Sequence, residues 1–197
     1  MHVMLDICHI TSLTRLNLSG TKVGDYEVSM LGMYGRLLRD LNLSGTAVSD
    51  KGVRSLVFQL NDDGRENSRF GKCVNLVALN ILNTKVGKRC AGTIAKTLPE
   101  LCHFKYMDTA SIVIKMARRK DVKWISWNNS SANEVKVRKL FGMCPNVTEF
   151  RFQGVFKNLE SILANFGGQM QSLELVKIKD QTVNVTSIAE HCPALVN

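Results

Sequence analysis

No apolar run in this chain approaches the ~18–20 residues that a helix needs to span a bilayer. The opening residues, Met-His-Val-Met-Leu-Asp-Ile-Cys, lack the basic start and long apolar stretch of a secretory signal. The cysteines at 8, 73, 90, 102, 144 and 192 include no Cys-x-x-Cys pair and no zinc spacing. Reduced, mostly buried thiols in a cytoplasmic or nuclear chain are therefore expected. The four histidines are scattered, with no carboxylate or thiol beside them at a motif spacing. There is no Gly-x-x-x-x-Gly-Lys-Ser/Thr phosphate loop, since Gly87-Lys-Arg and Gly71-Lys-Cys both lack its first half. These absences predict no catalytic residue, no metal ligand and no cofactor, and so a protein that is not an enzyme. Acidic residues are the minority: 17 Asp and Glu stand against 26 Lys and Arg, for a net charge of +9. That balance admits nucleic acid, an anionic membrane surface, an acidic protein partner, or simply a solvated lysine-rich surface.

What the chain does have is repetition. Leu13-Thr-Arg-Leu-Asn-Leu-Ser-Gly-Thr-Lys-Val-Gly-Asp25 returns as Leu38-Arg-Asp-Leu-Asn-Leu-Ser-Gly-Thr-Ala-Val-Ser-Asp50. Near-identity at a fixed interval marks an internal repeat that stacks on its neighbours. Two leucines separated by one residue share a face of a strand, because side chains alternate with period two. A third version begins at Leu76, and looser ones begin at Leu101, Val122, Val147 and Met170, with Leu195 opening another. With 197 residues, 45% of them hydrophobic, the chain suits one domain of about seven repeats over 1–197.

Between strands the pattern turns helical. Asp25 and Asp50 each open a helix as a candidate N-cap, over 25–37 and 50–60. Val53, Leu56, Val57 and Leu60 give the spacing of an inward stripe. Further helices are predicted over 89–98, 111–119, 133–143, 159–166 and 185–191. The charged, Gly- and Asn-rich run 61–73 reads as a loop inserted between a helix and the next strand, exposed to solvent. Six Asn-x-Ser/Thr sequons, at Asn17, Asn42, Asn128, Asn129, Asn146 and Asn184, read as products of Asn-rich turns.

The Leu-x-x-Leu-x-Leu spacing resembles the leucine-rich-repeat family. The resemblance implies an α/β solenoid, a right-handed superhelix with a parallel β-sheet on the concave face and helices on the convex face. At the repeat junctions Cys144-Pro-Asn-Val147 and Cys192-Pro-Ala-Leu195 share one form, with Cys73-Val-Asn-Leu76 and Leu98-Pro-Glu-Leu101 as variants. These junctions are similar to the cysteine-containing repeats of F-box-type substrate receptors. The subtype implies substrate recognition in a cullin-type ubiquitin ligase, with the adaptor-binding module outside this chain. No F-box is present within it, and neither end shows the polar cap a solenoid uses, so a fragment of a longer chain is expected. Two alternatives stand beside that reading. One is a nucleic-acid- or chromatin-associated scaffold using the basic surface; the other is an extracellular or innate-immune recognition module.

In a solenoid the residues flanking the strand leucines point out of the concave face. The first two repeats put small polar groups there, with Asn17 over Asn42 as a possible asparagine ladder. Later repeats add Leu82, His103, Lys105, Met107, Trp124 and Arg151, and these six are the candidate partner-binding residues. An exposed aromatic ringed by cations is how interface hot spots are composed, which singles out Trp124. A shifted register would instead make Trp124 core and turn Trp127 outward. The basic runs Lys115, Arg118, Arg119, Lys120, Lys123 and Lys136, Arg138, Lys139 fall on the convex side and lack the interleaved aromatics of a nucleic-acid surface. The expected partner is a protein, an acidic one being admitted by the charge, with no membrane involved.

Overall fold

The computed structural model describes residues 12–60, 66–67, 73–128, 134–153, 159–176, 178 and 184–196. The chain forms two compact units. The first comprises Met1–Tyr106 with Lys115–Arg118, the second Met107–Ile114 with Arg119–Asn197.

In the first unit four short strands, β1 (Arg15–Asn17), β2 (Asp40–Asn42), β5 (Ala78–Asn80) and β6 (His103–Lys105), form one sheet in that order. All pairings are parallel, and the register stacks Leu16, Leu41, Leu79 and Phe104 in one row. Leu41, Leu79 and Phe104 are buried, as are Leu18, Leu43, Ile81 and Tyr106 two residues further along each repeat. Each buried leucine contributes on the order of 1.5–3 kcal/mol, and the rows form a continuous spine only because the repeats share one phase.

The turn after each of the first three strands is built alike. Thr21, Thr46 and Thr84 donate their hydroxyls to the carbonyls of Leu18, Leu43 and Ile81 at 2.7–2.8 Å. The residue before each threonine has positive φ: Gly20 at 69°, Gly45 at 68° and Asn83 at 56°. Asparagine is among the few L-residues that enter this region readily, so the turn survives loss of the glycine.

Helices α1 (Asp25–Tyr34), α2 (Asp50–Ser55) and α3 (Lys88–Thr97) follow the turns. Here the predicted caps need correction. The N-caps are Gly24 and Ser49, and the aspartates occupy the first helical position. Their carboxylates reach into the next repeat instead. Asp25 accepts from the Ser49 backbone N–H at 2.7 Å, the Ser49 hydroxyl at 2.6 Å and the Gly52 N–H at 3.1 Å. Asp50 accepts from the Gly87 N–H at 2.7 Å. The donors are orphan N–H groups of a helix start, as the pattern suggests, but they belong to the neighbouring helix. α2 is also shorter than predicted. Gln59–Leu60 (β3) leaves it to pair antiparallel with Glu66–Asn67 (β4). The inserted run thus carries part of a hairpin rather than loop alone, and its last residue, Cys73, is buried. The rest of that run lies outside the described residues.

In the second unit β7 (Trp124–Asn128), β8 (Glu149–Gln153) and β9 (Ser172–Val176) form a parallel sheet, backed by α4 (Glu134–Met143), α5 (Leu159–Phe166) and α6 (Val185–His191). The inward row Ile125, Phe150, Leu173 lies beside a second row, Trp127, Phe152, Leu175. Phe150 stacks on Phe152 and on Phe141 of α4, which in turn stacks on Phe166 of α5. Aromatics replace the leucine spine here and fill the same space with flat faces in contact.

The helix predicted over 111–119 does not form. Three short 3₁₀ turns, Thr109–Ser111, Val113–Lys115 and Arg119–Asp121, take its place. The sequence interval between the repeat starts on either side, Leu101 and Val122, is the shortest in the chain, and 3₁₀ turns, which rise about 2.0 Å per residue against about 1.5 Å for an α-helix, cover more length with fewer residues. The first of these turns covers the free edge of β7. Thr109 Oγ1 accepts from the Ser126 N–H at 2.7 Å, and the Ser126 hydroxyl donates to the Met107 carbonyl at 2.8 Å. That edge would otherwise offer unpaired groups to another strand.

The helix-to-strand junctions share a turn in which the N–H of the first repeat residue donates three residues back. It recurs from Leu38 to Gly35, Leu76 to Cys73, Leu101 to Leu98, Val122 to Arg119, Val147 to Cys144, Met170 to Gly167 and Leu195 to Cys192, at 2.9–3.4 Å. Cys73, Cys90, Cys102, Cys144 and Cys192 are free and buried, as expected of structural thiols. Burial pushes the Cys73 thiol up to about 12. It pushes Cys144 up to about 11, against the pull of Arg119, and raises Cys192 as well.

Candidate interaction surface

The strand face turned away from the helices is the surface on which the sequence places its candidate residues, and each unit presents its own. In the first unit Arg15, Asp40, Ala78 and His103 form one outward row, and Asn17, Asn42, Asn80 and Lys105 form the next. Arg15, Asp40 and His103 are exposed, while Lys105 and Leu82 are half-buried. The sheet thus presents His103, Lys105 and Leu82 within one short stretch of its last two repeats.

The asparagines do not hydrogen-bond one another as a ladder. Each turns its Oδ1 back on its own chain. Asn17 accepts from the Ser19 N–H at 3.0 Å, Asn42 from the Ser44 N–H at 3.1 Å and Asn80 from the Leu82 N–H at 3.1 Å. This is an Asx-turn repeated on three neighbouring strands, and it accounts for asparagine at the end of each. Two other sequon asparagines are engaged in different ways. Asn146 donates to the Lys120 carbonyl at 2.9 Å, and Asn184 caps α6 by accepting from the Ser187 N–H at 2.8 Å.

In the second unit the outward rows are Trp124, Glu149, Ser172 and Ser126, Arg151, Glu174. The pleat puts Trp124 at an outward position, yet only 6% of it is exposed, so it is no accessible anchor. Ser126, the next outward residue of β7, is wholly buried, and Trp127 is buried on the inward row, so it does not face out either. Alternation predicts which side of the strand a residue takes, but not whether another segment covers that side. The outward side of β7 is covered; at Ser126 the Met107–Ser111 stretch does it. Met107 is correspondingly half-buried, its carbonyl engaged by Ser126. Arg151 lies beside Glu174, Nε to Oε1 3.6 Å, with its side chain 14% exposed. What the second unit offers outward is Glu149, Ser172 and the Arg151–Glu174 pair.

The basic runs sit elsewhere. Arg119, Lys120, Lys123, Lys136, Arg138 and Lys139 are exposed on the turn before β7 and on α4. Arg138 lies over the Phe166 ring, 5.9 Å from its centroid. In the first unit Arg118 pairs with Glu100 at 2.7 Å. Among the described residues no cluster of His, Cys, Asp and Glu could hold a metal ion, and no helix is long and apolar enough to cross a membrane.

The family model described as "Leucine Rich repeat" matches residues 9–25 and 36–57. No curated protein matches the sequence. Among solved structures the chain is similar to an internalin (inlF) from Listeria monocytogenes, with a TM-score of 0.45 and 15% identity, covering 94% of this chain and 59% of that one. The chain therefore spans under two thirds of that structure's length. Each unit by itself has parallel strands followed by a helix or 3₁₀ turns, the α/β build of leucine-rich repeats.

Proposed function

We propose that this chain recognises a protein partner through the outward strand face of its repeats, as the substrate-recognition part of a cullin-type ubiquitin ligase whose adaptor-binding module lies outside it. Proteins with leucine-rich repeats act as protein-interaction modules, and the fold is typically a non-enzymatic scaffold. The observation that carries the reading is the outward row Arg15, Asp40, Ala78, His103, held in register on a sheet whose other face is packed leucine. A rigid sheet with exposed polar side chains recognises by position, at little ordering cost. The ligase role rests on the cysteine junctions, where Cys73, Cys144 and Cys192 sit buried at one recurring turn in the manner of F-box-type repeats. Five buried free thiols also favour a reducing compartment, cytoplasmic or nuclear.

A nucleic-acid scaffold is the second reading, supported by the exposed cations Arg119, Lys120, Lys123, Lys136, Arg138 and Lys139. Both tryptophans, Trp124 and Trp127, are buried, which removes them as stacking platforms beside those cations.

Affinity capture with the full-length protein tests the reading. The expected result is co-capture of cullin and adaptor subunits, together with one partner that His103→Asp with Arg15→Glu removes while the ligase subunits stay. Captured material that nuclease destroys, that salt elutes and that ignores those substitutions would replace the reading with the nucleic-acid one.

A further inference from the structure

The asparagine row of the first unit has a chemical polarity beyond its structural task. The N–H groups of Ser19, Ser44 and Leu82 require an acceptor, so each carboxamide must turn its oxygen toward its own turn. The Ser44 hydroxyl donates to the same Oδ1 of Asn42, at 2.8 Å. The three Nδ2 groups are thereby aimed the other way. They make no hydrogen bond among the described residues, and none is a buried orphan. Each of Asn17, Asn42 and Asn80 thus keeps an amide donor pair for a ligand while its oxygen is engaged by the turn, twice over at Asn42.

These donors stand one strand apart, about 4.7–4.9 Å, and Lys105 occupies the next position of the same row. Ser19, Ser44 and Leu82 border the row on one side. On the other side stand Arg15 and His103, with Asp40 as the one carboxylate among them. Most of the chain's excess of positive charge falls in this unit. A ligand for the row must offer acceptors at matching intervals. Residues one turn apart on a helix have Cβ atoms about 5–6 Å from one another, so their carboxylates repeat at about that interval. Same-side residues of an extended peptide lie about 6.4–6.8 Å apart. The helix is the closer match.

We propose that Asn17, Asn42 and Asn80 form a donor comb that seats an acidic helix, with Asp or Glu at successive turns lying across the strands on the Ser19–Ser44–Leu82 side. The inference rests on the protein-receptor reading and names the partner's chemistry. The cations supply attraction at range, and the neutral amides set register.

The test uses a lactam-stapled helical peptide with glutamates one turn apart, titrated by fluorescence anisotropy. The informative variants are Asn42→Asp and Asn80→Asp. Each keeps an oxygen for the turn N–H and replaces the outward donor with a negatively charged acceptor. Saturable binding by the native protein is expected, weakened about tenfold by each substitution, with thermal midpoints unchanged. A peptide with lysines in place of the glutamates should regain affinity for the variants. If a variant fails to fold, the side-chain NH₂ resonances of Asn17, Asn42 and Asn80 in the native protein give the same answer, since they must shift on peptide addition. Absent saturable binding, unmoved NH₂ signals, or equal binding by a disordered acidic peptide overturns the inference. So does single-stranded RNA that moves the same signals more tightly. If the comb fails while partner capture still depends on His103 and Arg15, only the acidic helix falls; if capture ignores all of them, the receptor reading falls with it.

Discussion

The Sγ of Cys192 lies 2.6 Å from where a Cβ on Gly167 would stand, so the thiol of one junction fills the space that glycine leaves at the junction before it. Gly35 and Cys73 repeat the relationship in the first unit, at 3.2 Å. The cysteine of the pattern is thus sized by its neighbour: a small apolar group fits where the helix turns back, and a larger one does not.

Gly167→Ala should therefore destabilise the protein by about 1–3 kcal/mol, the usual range for overpacking. The His191 carbonyl lies at 2.5 Å from the same point, so Cys192→Ala should recover only part of the loss. Urea unfolding of the single and double variants measures both. Full additivity of the two substitutions would show that the thiol and the glycine are independent.

Asp25 joins two repeats, and its effect depends on pH. Burial raises its pKa, but the Ser49 hydroxyl, the N–H groups of Ser49 and Gly52 and the charge of Lys51 outweigh that and hold it below the ordinary 3.8. A carboxyl whose pKa is depressed by folding contributes stability that is complete above its unfolded value and lost as pH falls through its folded one. Asp25→Asn should cost about 1–2 kcal/mol near neutrality, discounted for partial solvent exposure. The gap between the wild type and the variant should close as pH drops below about 4. Denaturant melts from pH 7 down to 2 would show it; a gap independent of pH would mean the charge contributes nothing.

Leu41 is wholly buried in the spine between Leu16 and Leu79. Leu41→Ala should cost about 2–5 kcal/mol. A loss under ~1 kcal/mol would mean that the leucine row does not hold the repeats together.

Trp124→Ala should act on stability rather than on a binding surface, because the indole is buried. A loss of about 3–5 kcal/mol is expected, as for other buried aromatics. Differential scanning calorimetry reads it directly. A variant as stable as the wild type that had lost its partner would restore Trp124 as an exposed anchor.

The Cys73 and Cys144 thiols should resist alkylation at pH 8, since burial holds them protonated near 12 and 11. Peptide mapping after brief iodoacetamide treatment, with and without denaturant, checks this. Rapid labelling of the folded protein would show that the junctions open.

The strands and buried rows of the first three repeats could be read from the sequence. Near-identical segments forced one alignment and leucine alternation assigned the buried row, while the positive φ of Gly20 and Gly45 came from the structure. The outward positions of β1, β2, β5 and β6 followed from the same alternation. Three things did not follow, two because the deciding contact joins residues remote in sequence and one because it needs a formed turn. The aspartates looked like caps for their own helices, and only stacking brought the next helix start within their reach. Trp124 had the right phase for an exposed anchor, but a local period carries no information about what folds over a strand. The asparagines could be placed on the outward face from sequence alone. Their polarity, oxygen inward and nitrogen out, came from backbone N–H groups whose direction exists only once the turn is made. Periodicity is a local property and determined the repeats; burial and the reach of Asp25 and Asp50 are set by neighbours across the stack, the asparagine polarity by turns that exist only in the folded chain, and the tertiary structure decided them.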